Sequence, residues 1–162
     1  MLLKKFLSLE KTSNGCIIHG DCADVMLVFM TDDVIRVRVA FAKNFREKSF
    51  ALVKTAWTDE LDDLFAGERE RIEALNVPCE EIDDALTFTT ASLKLVLKKS
   101  PLSFSLYDNQ GKCIYRDLPE RAFERDHLGR LSHYSCMDRE LDHFYGFGEK
   151  TGHLDKKFRS LR

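Results

Sequence analysis

Apolar and polar residues alternate along the first quarter of the chain in a way that predicts β-strands. Residues 25–30 are apolar on both faces, which is typical of a central strand, and residues 31–33 supply a turn. In residues 34–41 the side chains of Ile35, Val37, Val39 and Phe41 share one face, and Arg36 and Arg38 share the other. A shift of one residue would bury both arginines, so the pairing register is strongly fixed.

The next stretch has a helical signature. Thr58 is a candidate N-cap, Asp59 and Glu60 fall in the first turn, and Gly67 is a candidate helix end. The pattern predicts a short surface helix over residues 58–67 or a surface excursion from the strands, and the charged residues 68–71 are expected to form a solvated face.

Strand patterns return in the second half. Leu93, Leu95 and Leu97 alternate with mainly polar residues, and Pro101 predicts an edge, bend or break before the next alternating segment. Residues 108–111 read as a tight turn, and residues 131–137 and 144–149 as further strand-like segments. Together these patterns predict an all-β fold, an antiparallel two-sheet β-sandwich with at most one or two short helices, in a single domain over residues 1–162.

Composition narrows the range of partners. The 25 basic and 27 acidic residues give a net charge of -2 and form no long block of one sign, so we expect no nucleic-acid partner. Two lysines interrupt the apolar start of the chain, and no stretch reaches the roughly 20 apolar residues of a membrane span. We therefore expect a cytoplasmic protein without membrane contact.

The cysteines and histidines suggest neither a disulfide framework nor a metal site. The 5 cysteines are irregularly spaced, and we expect them to be thiols that pack as small buried hydrophobic residues. His127, His133, His143 and His153 lie in the last quarter of the chain at spacings that match no ligand pattern. We expect surface or locally hydrogen-bonded histidines, no metal and no cofactor.

The most specific segment is residues 144–157, Phe-Tyr-Gly-Phe-Gly-Glu-Lys-Thr-Gly-His-Leu-Asp-Lys-Lys. It resembles the aromatic-Gly-x-Gly-Glu strand and following Leu-Asp-Lys of family 31 glycoside hydrolases, and residues 33–38 and 98–111 resemble upstream strands of the same family. The positions that carry the resemblance, as family-motif or domain-interface residues, are Tyr145, Gly146, Gly148, Glu149, Lys150, Leu154, Asp155 and Lys156. Phe158 departs from the pattern, because the family normally has glycine there.

The resemblance implies a fold of the galactose mutarotase type and the N-terminal supporting domain of a retaining α-glycosidase, of the α-glucosidase type. It implies that the catalytic carboxylates lie in a (β/α)8 barrel that follows this domain and is absent from these residues, so we assign no catalytic and no substrate-binding residue here. The implied partners are that barrel and, through the whole enzyme, a carbohydrate. Glu149 and Asp155 are expected to hold the domain interface or the strand-end loop, with Lys150, His153, Lys156 and Lys157 as candidate ion-pair partners.

Two other functions stay open at this point. One is a non-catalytic carbohydrate-binding module, in which aromatic residues such as Trp57, Tyr107, Tyr115 or Tyr145 stack on sugar rings. The other is an aldose epimerase, which needs an acid and a base at one sugar site. Assembly of identical copies also stays open.

Overall fold

The computed structural model describes residues 1–13, 15–64, 69–138, 140–146 and 152–158. Within these ranges the strands are, in chain order, β1 (Phe6–Thr12), β2 (Gly15–Gly20), β3 (Asp24–Thr31), β4 (Val34–Ala40), β5 (Lys54–Thr55), β6 (Glu70–Arg71), β7 (Cys79–Ile82), β8 (Ala85–Thr89), β9 (Leu93–Lys99), β10 (Leu102–Asp108), β11 (Cys113–Arg116), β12 (Phe123–Arg125) and β13 (Leu131–His133). Short 3₁₀ turns span Asp62–Leu64 and Pro119–Arg121. The all-β prediction is confirmed.

Two antiparallel sheets carry most of the strands. The first has the order β1-β2-β3-β4, and the second has the order β11-β10-β9-β8-β7. Strand β3 lies between β2 and β4, and its apolar residues on both faces are buried or half-buried, as the apolar run predicts. Two small sheets accompany them, the antiparallel pair β12-β13 and the parallel pair β5-β6.

The hydrophobic core forms where the inner faces of the two large sheets meet. The Phe29 and Phe88 rings, one from each sheet, lie 5.4 Å apart between centroids, and Leu27 and Leu97 are fully buried. Burial of each such side chain contributes about 1.5–3 kcal/mol to folding, so this interface is the main source of stability. The same core fixes the face of β4 that carries Ile35 and Val39, as the alternating pattern predicts.

Some of the local predictions require correction. Residues 58–64 form only the 3₁₀ turn Asp62–Leu64 instead of a helix, and the rest of the predicted helix lies outside the described residues. The turn begins at Asp59 rather than Thr58, because Asp59 Oδ1 accepts the Leu61 amide at 2.9 Å while Asp62 Oδ2 accepts the Asp59 amide at 3.0 Å.

Residues 69–71 were expected to be solvated, but Arg69 is buried. Its side chain is 4% exposed, and its Nη1 lies 3.2 Å from Asp59 Oδ2, whose side chain is 0% exposed. Arg71 Nη2 lies 2.7 Å from Asp62 Oδ2. The hydrogen bond from the Asp59 amide and then the bond from Arg71 hold the pKa of Asp62 below its ordinary value. These residues form a charged cluster that organises the long connection between β4 and β7.

The strand predictions near the end of the chain are met in part. Residues 131–133 form β13, whereas residues 134–137 and 144–146 are not in strands, and residues 147–149 lie outside the described residues.

Elsewhere in the chain, strand β1 has no counterpart among the predicted strands. Pro101 lies in the turn between β9 and β10, as expected.

The cysteines divide into two groups. All five are free thiols, and Cys16 is buried while Cys22 and Cys79 are half-buried. Burial raises the pKa of the Cys16 thiol to about 12. Cys113 and Cys136 are exposed, so the expectation of small buried hydrophobic residues is wrong for these two.

Candidate functional site

Two places in the fold bring together residues that could take part in binding or catalysis. The first is the motif segment, which we define as residues 140–146 and 152–158. It contains Tyr145, Gly146, Leu154, Asp155 and Lys156 of the predicted positions. The other predicted positions, Gly148, Glu149 and Lys150, lie outside the described residues.

Asp155 ties the two halves of the motif segment together. Its Oδ1 accepts the Phe144 amide at 3.1 Å and the Lys157 amide at 2.9 Å, and its Oδ2 lies 2.6 Å from His143 Nδ1. The bond from His143 and then the two amides lower the pKa of Asp155 to about 2. Among the described residues, the ion-pair partner that the structure shows for the Asp155 side chain is His143, which the sequence did not propose; Lys150, one of the proposed partners, lies outside the described residues.

Backbone contacts reinforce this tie. The Lys156 amide donates to the Phe144 carbonyl at 2.7 Å, and the Lys156 residue is only 8% exposed. Gly146 has φ of +89°, and nothing lies within 4 Å of the place where a Cβ would stand. Gly146 is thus required for its backbone angle rather than for the close approach of another described residue.

Phe158 keeps the backbone conformation that glycine favours. Its φ is 58°, in the left-handed region, which side chains other than glycine adopt at a cost of about 1 kcal/mol. The Lys157 ammonium lies 5.7 Å from the Phe158 ring centroid. The substitution of glycine by phenylalanine therefore changes the surface of the turn and keeps its backbone angle.

The motif segment presents apolar side chains to solvent. Tyr145 is 58% exposed, Leu154 78% and Phe158 70%. The Tyr145 ring stacks on the His143 ring at 6.1 Å between centroids. Exposed apolar groups beside a backbone tied by hydrogen bonds are typical of an interaction surface.

The second place is a polar cluster of Tyr115, Asp117 and His133. Asp117 is fully buried, and its Oδ2 accepts the Phe104 amide at 2.7 Å. Its Oδ1 accepts the Tyr115 hydroxyl and lies 2.8 Å from His133 Nε2. The Tyr115 oxygen is also 2.7 Å from His133 Nε2. Burial, followed by the bond to Asp117, raises the pKa of the Tyr115 hydroxyl.

An apolar cavity of about 280 Å³ lies beside this cluster, between β4 and the second large sheet. Its lining combines aliphatic and aromatic side chains: Ile35, Val37, Val39, Leu95, Phe104, Leu106, Tyr115, Phe123 and His133. The His133 ring stacks on Phe123 with centroids 4.7 Å apart. The rings of Tyr115 and His133 line the cavity, while their polar atoms contact Asp117. The cluster therefore connects β11 to the β12-β13 hairpin.

The sequence named Tyr115 and His133 separately but missed Asp117. One signal was available, since Tyr115 and Asp117 are two residues apart near a predicted strand and so share a face. The pairing with His133 depends on the contacts of the β12-β13 hairpin, which alternation alone does not predict.

The candidate sugar-stacking residues differ in accessibility. Trp57 and Tyr107 are half-buried, and Arg36 covers the Trp57 ring at 3.7 Å. Tyr115 is half-buried with its hydroxyl engaged. Tyr145 alone of the four is exposed.

The described residues contain no group of three or more His, Cys, Asp or Glu side chains arranged to hold a metal ion. Across the same described ranges, no helix is long and apolar enough to cross a membrane.

Comparison with known sequences gives a match over most of the chain. Residues 24–162 match the model of the glycosyl hydrolase 31 N-terminal galactose mutarotase-like domain. The chain is also 31% identical over 140 residues to alpha-glucosidase 2 of Bacillus thermoamyloliquefaciens. That alignment covers 86% of this chain and 16% of the relative.

Solved structures with a similar fold come from much longer chains. A GH31 dextranase of Flavobacterium johnsoniae superposes with a TM-score of 0.78 at 20% identity, over 98% of this chain and 18% of the dextranase. A GH31 alpha-xylosidase from a soil metagenome gives a TM-score of 0.63 at 14% identity, over 94% of this chain and 24% of the xylosidase. The chain therefore spans less than a quarter of each of these proteins.

Proposed function

Because the chain belongs to the family of glycosyl hydrolase 31 N-terminal galactose mutarotase-like domains, we propose that it supports the catalytic barrel of an α-glucosidase-type enzyme. The observation that carries the choice of α-glucosidase is the 31% identity to alpha-glucosidase 2 of Bacillus thermoamyloliquefaciens. The dextranase and xylosidase share the fold at lower identity, and they make the choice of sugar and linkage the part of the proposal that most needs a test.

In this proposal the 162-residue chain is inactive by itself. Retaining hydrolysis needs a nucleophilic carboxylate and a protonated carboxylic acid about 5 Å apart on either side of the scissile bond. Several acids near the end of the chain are already engaged: Asp155 binds His143 and two amides, and Asp138 accepts the amides of Glu140 and Leu141. Lowered pKa values of Asp138 and Asp155 also favour ionised groups rather than a general acid.

The motif segment is proposed as the surface that contacts the barrel. Tyr145, Leu154 and Phe158 are exposed, while Asp155 and the Lys156 backbone hold the segment in shape from inside. An apolar surface that is ordered before it binds loses little conformational entropy on docking. A cytoplasmic location, proposed from the irregular spacing of five free cysteines, can be checked by cell fractionation.

Hydrolysis of 4-nitrophenyl α-glucoside tests the proposal. We expect a polypeptide that carries this domain together with its barrel to release nitrophenol, and the chain of residues 1–162 to release none above buffer. Nitrophenyl α-xyloside and dextran serve as alternative substrates for the same preparations. Cleavage by residues 1–162 would contradict the inactive-domain proposal, and cleavage of only the xyloside or dextran would contradict the choice of α-glucosidase.

A further inference from the structure

The connection between β4 and β7 contains a loop of exposed nonpolar residues. Residues 50–53 read Phe-Ala-Leu-Val, and we call residues 49–54 the Phe50 loop. Phe50 is 74% exposed, Val53 77% and Leu52 40%, and Ala51 is exposed as well. A free loop gains nothing from presenting such a run to water, and contiguous exposed apolar residues commonly mark contact sites.

The first end of the Phe50 loop is attached to the charged cluster. Arg69 Nη2 donates a hydrogen bond to the Ser49 carbonyl. The Arg69 side chain is itself 4% exposed, with its Nη1 3.2 Å from the fully buried Asp59 carboxylate. The loop therefore begins on a fixed point inside the fold.

The second end is fixed by β5 and β6. Thr55 is fully buried, its carbonyl accepts the Ile72 amide at 2.9 Å, and its hydroxyl accepts from Arg71 Nη1 at 2.7 Å. Arg71 is held in turn by Asp62 at 2.7 Å. Both ends of the apolar run are thus anchored by one network of buried and half-buried charges.

This anchoring has a cost that the loop alone does not offset. Removing Arg69 and Asp59 from water is unfavourable, and buried ion pairs often contribute little net stability compared with apolar packing. What the network does achieve is to hold both ends of the Phe50 loop in place, and order before binding lowers the entropy lost on docking.

We propose that the Phe50 loop is a second docking element, separate from the motif segment, that inserts into an apolar recess of the catalytic domain of the same polypeptide. This inference rests on the proposed function. Its partner is thus a protein surface with an apolar depression that accepts Phe50 and Val53.

The size of the loop favours a partner in the same polypeptide over a second copy. Burying the Phe50, Leu52 and Val53 side chains removes on the order of 300 Å² from water, whereas stable complexes between separate proteins bury roughly 800 Å² on each partner. Tethering within one polypeptide supplies a millimolar effective concentration, at which a small contact suffices. The relatives are long enough to contain such a partner domain, since this chain spans 16% of the α-glucosidase and 18% of the dextranase.

Photo-crosslinking in the longer enzyme tests the docking. Benzoylphenylalanine replaces Phe50 in one sample and Leu128 in the control, because Leu128 is similarly exposed at 67% but lies in another turn. We expect crosslinked peptides that join position 50 to the catalytic domain within one polypeptide, and none from position 128. Crosslinks from position 50 only to a second copy, or the absence of any crosslink, would overturn the proposal.

A second measurement uses the Phe50→Ser and Val53→Ser double variant of the same enzyme. We expect limited proteolysis between the domains to proceed at least about fivefold faster than in the wild type, because aromatic anchors contribute most to such contacts. Leu128→Ser should leave the rate unchanged, and an unchanged rate in the double variant contradicts docking. Glucoside hydrolysis by the wild-type enzyme separates the two proposals: hydrolysis without crosslinking rejects only the docking, and crosslinking without hydrolysis rejects only the choice of substrate.

Discussion

His143 Nδ1 lies 2.6 Å from Asp155 Oδ2 and connects two parts of the chain that are 12 residues apart. The same carboxylate accepts the amides of Phe144 and Lys157. Asp155 therefore has a structural role in this domain, because it holds the two halves of the motif segment together. Its pKa reports whether these hydrogen bonds are formed.

Titration of Asp155 gives the first prediction. Its pKa is lowered from the ordinary 3.8 to about 2, chiefly by the bond from His143. Because the folded form has the lower pKa, its stabilising contribution is complete above pH 4 and is lost as the pH falls towards 2. Carboxyl ¹³C NMR should give a midpoint near 2 in the wild type.

Replacement of His143 tests the cause of that shift. His143→Ala should move the Asp155 midpoint upward, but not fully to 3.8, because the amides of Phe144 and Lys157 still donate. His127→Ala, at an exposed position that does not contribute to the lowered pKa of Asp155, should leave the midpoint near 2. A wild-type midpoint near 3.8 would mean that the motif segment is not held by Asp155 in solution.

The buried pair Asp59 and Arg69 gives the second prediction. Arg69→Ala leaves the Asp59 carboxylate without its charge partner in a fully buried position, so we expect a loss of about 3 kcal/mol in the free energy of unfolding. Urea denaturation followed by Trp57 fluorescence measures it.

Two further variants test whether burial causes the loss of unfolding free energy in Arg69→Ala. Arg121→Ala breaks the exposed pair with Glu124, whose side chains are 52% and 30% exposed, and should cost less than about 1 kcal/mol. The double change Asp59→Leu with Arg69→Met removes both charges of this pair, leaves buried Asp62 paired with Arg71, and should cost less than Arg69→Ala alone. Equal losses in Arg69→Ala and Arg121→Ala would contradict the buried network.

Much of the sandwich follows from alternation in the sequence. Strands β4 and β9 show one apolar face each. The structure buries Leu95 and Leu97 of β9 in the core, whereas on β4 Ile35 and Val39 are half-buried against it and Val37 is 40% exposed. Strand β1 was not predicted. Its residues are mostly exposed, so its apolar residues do not define a buried face. Of the two alternatives for residues 58–67, the helix is wrong for residues 58–64. The carboxylates of Asp59 and Asp62 accept amides of the turn and pair with the two arginines, which outweighs local helix preference.

The candidate sites were predictable to different degrees. The motif segment was located from its residues, but the choice of His143 as the partner of Asp155 depends on a turn that no spacing rule provides. Asp117 was missed because its partners Phe104, Tyr115 and His133 come from three different strands. Long-range contacts of this kind depend on tertiary packing rather than on local pattern.

Thiol reactivity gives the third prediction. Cys113 and Cys136 are exposed, whereas Cys16 is buried with a pKa raised to about 12, so only the two exposed thiols should react rapidly with Ellman's reagent at pH 8. Burial also raises the pKa values of Cys22 and Cys79, which slows them. The Cys113→Ser and Cys136→Ser double variant should lose the rapid phase, and a rapid phase that persists would place another thiol at the surface.

Gly15 gives the last prediction, because it leaves no room for a side chain beside the β3 backbone. A Cβ at position 15 would lie 1.9 Å from the Leu27 carbonyl oxygen, and φ of Gly15 is +153°. A backbone oxygen cannot move aside as a flexible side chain does, so Gly15→Ala should lower the free energy of unfolding by about 3 kcal/mol. Gly111→Ala is the matched control, since Gly111 has φ of +81° with nothing within 4 Å of its Cβ position, and it should lose only about 1 kcal/mol through backbone strain. Urea denaturation of both variants separates the cost of the steric contact from the cost of the backbone strain. Equal losses of unfolding free energy would show that β3 shifts to accept the methyl group.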